Sequence, residues 1–216
     1  MKAQSAGETD ARESGDWKST AVEYAKSIVV ALILALCIRT FVVQAYEIPS
    51  GSMENTLAIG DHILVNKFIY GTEIPIVHKR VLTVREPTRG DVIVFKFPED
   101  RSKDFIKRLI GLPGDQIRIV DKKVYVNDQV FDDHHELYKD GHMISADASP
   151  RDNMSGITVP SGCYFVMGDN RDNSYDSRFW GFVRRSDIEG LAFIKYWSWD
   201  SDHWRVRWGS IGTLID

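Results

Sequence analysis

Two patterns of apolar residues divide the chain. Residues 27 to 38 read Ser-Ile-Val-Val-Ala-Leu-Ile-Leu-Ala-Leu-Cys-Ile without a charge, and Phe41, Val42 and Val43 carry the run past Arg39 and Thr40. No polar face interrupts this stretch, so a half-exposed amphipathic helix is excluded. A bilayer core takes about 20 residues at ~1.5 Å rise each. Residues 24–43 supply that length with Lys26 and Arg39 reaching to the two interfaces. The pattern therefore predicts one transmembrane helix over 24–43. Two alternatives stay open: a buried core helix, and the apolar region of a cleaved signal peptide ending at Val43-Gln44-Ala45. Lys2, Arg12, Lys18 and Lys26 precede the span, whereas no Lys or Arg occurs from Gln44 through Ile63. That asymmetry places the tail, 1–23, in the cytoplasm and the rest outside. Residues 1–20 show no apolar period and are expected to be disordered.

Beyond the span the pattern changes to short β-branched runs: Ile63-Leu64-Val65, Val92-Ile93-Val94-Phe95, Ile117-Arg118-Ile119-Val120, Val124-Tyr125-Val126, Tyr164-Phe165-Val166 and Leu191-Ala192-Phe193-Ile194. Runs of this length and composition predict strands, so 44–216 should form a mainly β domain. Gly60-Asp61, Gly90-Asp91 and Gly114-Asp115 introduce several runs as turns, with Gly taking a positive φ and Asp bonding the following backbone. Asn127-Asp128 between two apolar runs predicts a two-residue hairpin turn. From about 132 to 156 the pattern dissolves into His, Asp, Ser, Asn and Gly, which indicates an inserted cap segment, with strands resuming near Ile157.

Charge and cysteine content narrow the function classes. With 27 Lys+Arg against 31 Asp+Glu the net charge is −4, so the basic footprint of a nucleic-acid binder is missing. Two cysteines, Cys37 in the apolar run and Cys163 far downstream, build no disulfide framework and no zinc cluster. His134 and His135 beside Asp132 and Asp133 offer metal-binding groups, but such a run is more often a solvated loop.

Three segments carry candidate chemistry. Ile48-Pro49-Ser50-Gly51-Ser52-Met53 is a sharp turn able to present a serine hydroxyl and backbone N–H groups. A serine nucleophile needs a base. None of the six histidines sits in a setting that suggests a triad, and the strand 104–110 contains Lys107 and Arg108 on opposite faces. Arginine stays protonated, whereas burial can bring a lysine from pKa ~10.4 to roughly 7 or 8. Lys107 is thus the candidate base. The third segment, 168–178, is almost wholly polar, reads as an exposed loop and lacks the ligand spacing of a calcium loop; if it is packed, Asp176 and Arg178 could form a bidentate pair holding Ser174 toward a neighbour.

Taken in order, these segments resemble the bacterial type I signal peptidases, membrane-anchored Ser/Lys proteases that remove signal peptides from exported proteins. The resemblance rests on Pro49-Ser50-Gly51-Ser52-Met53, the stretch from Gly60-Asp61 to Lys67, Arg89-Gly90-Asp91-Val92-Ile93-Val94-Phe95, Lys107-Arg108 with Gly111-Leu112-Pro113-Gly114-Asp115, and 168–178. It implies an antiparallel β-sheet catalytic domain of the signal-peptidase and LexA-like type behind one N-terminal transmembrane helix. It also implies Ser52 as nucleophile and Lys107 as general base, with the Ser50 hydroxyl and the Ser52 N–H as oxyanion hole. Ser174 would orient Lys107, supported by Asp176 and Arg178. Tyr46, Ile48, Met53, Leu57 and Ile106 would line pockets for small P1 and P3 side chains of preprotein signal peptides. Asn55 departs from the family, which usually has Pro there. The resemblance implies no metal and no cofactor, and a lipid bilayer as partner, with Trp197, Trp199, Trp204 and Trp208 as a possible aromatic edge at the membrane or as ordinary core and strand aromatics. A self-cleaving Ser/Lys repressor domain, a pilus-precursor peptidase and a non-catalytic peptide-binding β-domain are the rival readings.

Overall fold

The computed structural model describes residues 7–74, 79–81, 83–132 and 134–216. The chain divides into two compact units, Met1–Val42 and Val43–Asp216. Among the described residues of the first unit is a single helix, α1 (Gly7–Phe41). It begins well before residue 20, where the pattern predicts disorder. The missing apolar period removes a reason to pack and leaves helix propensity intact, and Ala, Glu, Arg and Lys of this stretch all favour helix. Ile28, Val29, Val30, Leu32, Ile33, Leu34 and Leu36 are each more than half exposed. Consecutive positions point in every direction around a helix, so residues 28–36 of α1 are apolar around the whole circumference. Among the described residues no helix is long and apolar enough to cross a membrane. The described side chains of α1 end at Leu36, so the expected span 24–43 is described only in part.

The second unit is mainly antiparallel β. Its early strands are β1 (Val43–Glu47), β2 (Asp61–Asn66), β3 (Thr72–Ile74) and β4 (Lys79–Val81), followed by β5 (Val92–Phe97) and β6 (Asp100–Gly111). Then come β7 (Gln116–Val120), β8 (Lys123–Val126), β9 (Gln129–Val130), β10 (Met154–Thr158) and β11 (Cys163–Met167). A one-turn helix α2 (Ser177–Trp180) precedes β12 (Val183–Arg184), β13 (Ile188–Asp200) and β14 (Arg205–Val206). The main sheet has the order β1-β2-β13-β5-β6-β11-β12, with β14 paired to β13; β10-β7-β8-β9 form a second sheet and β3-β4 a third. All six predicted runs lie in strands, while β10 starts at Met154, slightly before the expected Ile157.

Local chemistry explains the turns. Gly60, Gly90 and Gly114 take φ of 84°, 93° and 90°. Their Asp partners bond backward, not forward: the carboxylates of Asp61, Asp91 and Asp115 accept from the N–H groups of Ala58, Thr88 and Leu112 at 2.9, 2.8 and 2.6 Å. Asn127 and Asp128, φ 52° and 65°, close the β8–β9 hairpin as expected, because both central residues of this turn need the left-handed region. Three buried apolar clusters hold the unit together. Ile48, Met53, Leu57, Ile63 and Val94 belong to the first, Ile93, Phe95 and Leu109 to the second, and Ile110, Ile117 and Phe165 to the third.

Candidate active site

The serine turn is built between β1 and β2. Ile48 N–H donates to Asp61 O at 2.9 Å and Gly60 N–H to Ile48 O at 3.0 Å, which clamps the strand leaving β1. Ser50 is extended (φ −138°, ψ 155°), and Gly51–Met53 then form one 3-10 turn. Met53 and Leu57 are fully buried and pin this turn to the first cluster, while Leu57 N–H donates to Met53 O at 2.7 Å. Ser50 is exposed and its hydroxyl caps no N–H of the turn. Asn55 sits at φ 83°. Proline, locked near −65°, cannot occupy that conformation, and Asn tolerates it, so the departure from the family pattern has a backbone reason.

Lys107 arrives from β6, opposite Ile93 of β5. Its Nζ lies 2.8 Å from Ser52 Oγ and 3.0 Å from Ile106 O. Alternation left open which of the two basic residues is buried, and both are: Lys107 is 4% exposed and Arg108 1%. Burial pushes the Lys107 ammonium down to about 8, against the pull of Asp176 and Asp169 in the opposite direction and with a smaller push from Arg178. The mechanism is desolvation, since an ammonium stripped of water loses most of its hydration energy and the neutral amine loses little.

The polar segment 168–178 is packed inside the unit, not exposed. Gly168 shows why: a Cβ there would lie 2.3 Å from both Ser52 O and Ser174 Oγ. Asp169 accepts a bidentate pair from Arg108, both contacts at 2.8 Å, and Asn170 N–H donates to Ser52 O at 3.1 Å. The Asn170 side chain donates to Gly51 O at 3.0 Å. Asp176 is fully buried; it accepts from Arg178 Nε at 2.9 Å and Nη2 at 2.8 Å and from Gly168 N–H at 3.0 Å. Burial alone would raise its carboxyl, but the Arg178 charge and hydrogen bonds more than offset this and hold it below the ordinary range. Ser174, 9% exposed, wedges against Gly168 with its Oγ buried, and its hydroxyl helps hold the Asp176 carboxyl low.

Tyr46, Ile48, Ile63, Val94, Phe105 and Ile106 surround a cleft of about 40 Å³. Met53 and Leu57 stand behind it in the same buried cluster. The structure thus brings together Ser52, Lys107, Ser174, Asp176 and Arg178 with the expected apolar residues alongside. Asn170, Asp169 and Arg108 were not singled out from the sequence. For Asp169 and Asn170 the signal available was an almost wholly polar run, which solvated loops share; Arg108 stands on an otherwise apolar strand. The insert reaches the same place: Leu137 pairs with Asn170 and the Lys139 ammonium with the Glu54 carboxylate. His134 pairs with Asp132 at 3.0 Å on the surface; Asp133 lies outside the described residues. Among the described residues no three His, Cys, Asp or Glu side chains converge to hold a metal.

The chain is similar to several known proteins. A family model described as signal peptidase, peptidase S26, matches residues 21–197. Signal peptidase I of Pseudomonas fluorescens is 40% identical over 208 residues, covering 82% of this chain and 73% of that protein. Signal peptidase I of Aquifex aeolicus is 38% identical over 222 residues, covering 79% and 82%. A solved signal peptidase I from Enterococcus faecalis is 33% identical, covers 50% of this chain and 97% of its own, and superposes with a TM-score of 0.40.

Proposed function

Because the chain belongs to the signal peptidase family, peptidase S26, and is a serine endopeptidase that removes signal peptides from preproteins, we propose that Ser52 is its nucleophile and Lys107 its general base. The observation that carries this reading is a buried amine, lowered to about 8, at 2.8 Å from a serine hydroxyl. Neutral Lys107 takes the Ser52 proton as Oγ attacks the carbonyl carbon after a small P1 residue. The developing oxyanion is held by the Ser52 N–H and the Ser50 hydroxyl, each contributing about 3 kcal/mol. Lys107, now protonated, gives its proton to the leaving nitrogen, and the acyl-enzyme and a free amine result. The same amine then deprotonates the water that hydrolyses the ester, restoring Ser52.

Asp176 and Arg178 act as positioning residues that fix Gly168 and, through it, Ser174 beside the serine turn. Ser174 orients the Lys107 amine, and Tyr46, Ile48, Met53, Leu57 and Ile106 shape the cleft for small P1 and P3 side chains. The span expected over 24–43, of which α1 supplies the part up to Phe41 while Val43 already belongs to β1, anchors the protein in the bacterial cytoplasmic membrane, with 1–23 inside and 44–216 outside. Its support is the all-round apolar surface of residues 28–36 of α1 and the Lys and Arg asymmetry of its flanks. Trp204 and Trp208, among the most exposed large side chains, are suited to the same interface. Incubating the purified protein with an exported precursor and sequencing the new N-terminus tests the function. Ser52→Ala and Lys107→Arg should each abolish cleavage in a folded protein; retained cleavage by Lys107→Arg refutes the assignment of the base. Alkaline carbonate extraction should leave the chain in the membrane pellet, and its release would refute the anchor.

A further inference from the structure

Next to Lys107 begins a layer of aromatic rings that the proposed chemistry does not use. Lys107 Nζ lies 5.5 Å from the centre of the Phe105 ring. Phe105 stacks on Phe97 with centroids 4.2 Å apart and planes inclined by 9°. Phe97 meets Tyr175 edge-on at 6.2 Å, and Tyr175 stacks on Phe179 at 5.6 Å. The inner rings are covered, with Phe97 buried, whereas the outer two are open: Tyr175 is 49% exposed and Phe179 40%. The Tyr175 hydroxyl donates to the Glu99 carboxylate at 3.2 Å, which ties the ring to the β5–β6 turn. Two adjoining exposed aromatics on a braced support, continuous with a reactive amine, form a surface suited to contact and are not isolated surface residues.

We propose that the Tyr175–Phe179 shelf binds the first side chains on the leaving side of the scissile bond, at P1′ and P2′ of the preprotein. The inference rests on the Ser52/Lys107 reading. The amine that protonates the leaving nitrogen must come within about 3 Å of it, so the departing segment passes over Lys107. The small cleft lined by Tyr46, Ile48, Val94 and Ile106 takes the acyl part. Phe105 also borders this cleft, and it stacks on Phe97, which in turn meets Tyr175. A peptide that fills the cleft with its P1 and P3 side chains therefore continues across Phe105 onto the shelf. An offset ring face favours apolar or aromatic side chains over glycine, and stacking of this kind is worth about a fivefold preference.

Two peptide panels, one varied at P1′ and P2′ between Gly, Leu and Phe and the other varied at P3, test the proposal with the full-length enzyme in detergent. In Tyr175→Ala the ratio of kcat/KM for Leu or Phe against Gly at the primed positions should fall about fivefold, and Phe179→Ala should shift it in the same direction. Tyr175→Phe, which keeps the ring and loses the bond to Glu99, should shift it less. An unchanged ratio in both alanine variants, or a change confined to the P3 panel, overturns the shelf. A failure of the underlying reading looks different: Ser52→Ala or Lys107→Arg would then cleave as the parent does. Because Tyr175 and Phe179 are both substantially exposed, either variant serves if the other misfolds.

Discussion

Raising the pH is the most direct perturbation of the site, because it changes the charge of one group whose value the structure sets. An ordinary lysine near 10.5 is neutral in about one molecule in 3,000 at pH 7. Lys107, lowered to about 8 by burial, is neutral in about one in eleven at that pH, a gain of about 300-fold in competent base. Between pH 7 and pH 9 the neutral share rises about tenfold and then levels off. The assay is kcat/KM for a fluorogenic peptide with small P1 and P3 residues, followed from about pH 6 to about pH 10 at constant ionic strength, since this ratio reports the free enzyme. The expected profile falls tenfold per unit below about pH 7 and bends near 8. A profile flat across this range, or one bending near the imidazole value of about 6.5, refutes the reasoning.

The same burial has a stability cost. With the folded value below the unfolded one, the unfolded chain binds more protons between about 8 and 10.5, so the group destabilises the fold by on the order of 3 kcal/mol below pH 8 and progressively less as pH rises through that window. Lys107→Met should therefore be inactive yet more resistant to denaturant at pH 7, by about 1 to 3 kcal/mol, with the difference shrinking toward pH 10.5; equal stability at both pH values would contradict this. Gly168→Ala should lower the free energy of unfolding by about 1 to 3 kcal/mol and reduce kcat, because the added methyl collides with Ser52 O. A wild-type rate in that variant would mean the turn is not held where described. Asn170→Ala removes the bond to Gly51 O and should lower kcat about tenfold with little change in KM, whereas a purely stability-related loss would leave the kcat of the folded fraction intact.

Legibility varied with the kind of interaction. The strands were readable because burial against a sheet demands β-branched runs, and the Asn127-Asp128 turn because few residues accept left-handed φ twice in succession. Lys107 was legible as a candidate base because arginine stays protonated, whereas the burial that this role requires was not legible. The loop 168–178 was opaque: Asp169, Asn170 and Asp176 are fully buried, yet composition cannot distinguish charges that satisfy one another inside from charges that face water. The apolar part of α1 was legible from its uncharged run, whereas the stretch before residue 20 was not, because a helix without an apolar period leaves no amphipathic signature. The backward bonds of Asp61, Asp91 and Asp115 depend on which way each chain enters its turn, and residue identity does not specify that.

The pairing of Ser52 with Lys107 spans 55 positions of the chain, and the bond from Asn170 to Gly51 spans 119. Closing loops of that length costs more entropy than forming local contacts, so the geometry of the site depends on the strands between them being in place. A hydrolase assembled this way stays harmless throughout its own biogenesis: nascent or half-formed copies carry every reactive group and no reactive geometry. Cutting power then arrives in a single step with completion of the sheet, so loss of the last few contacts silences the enzyme and does not release a misdirected one.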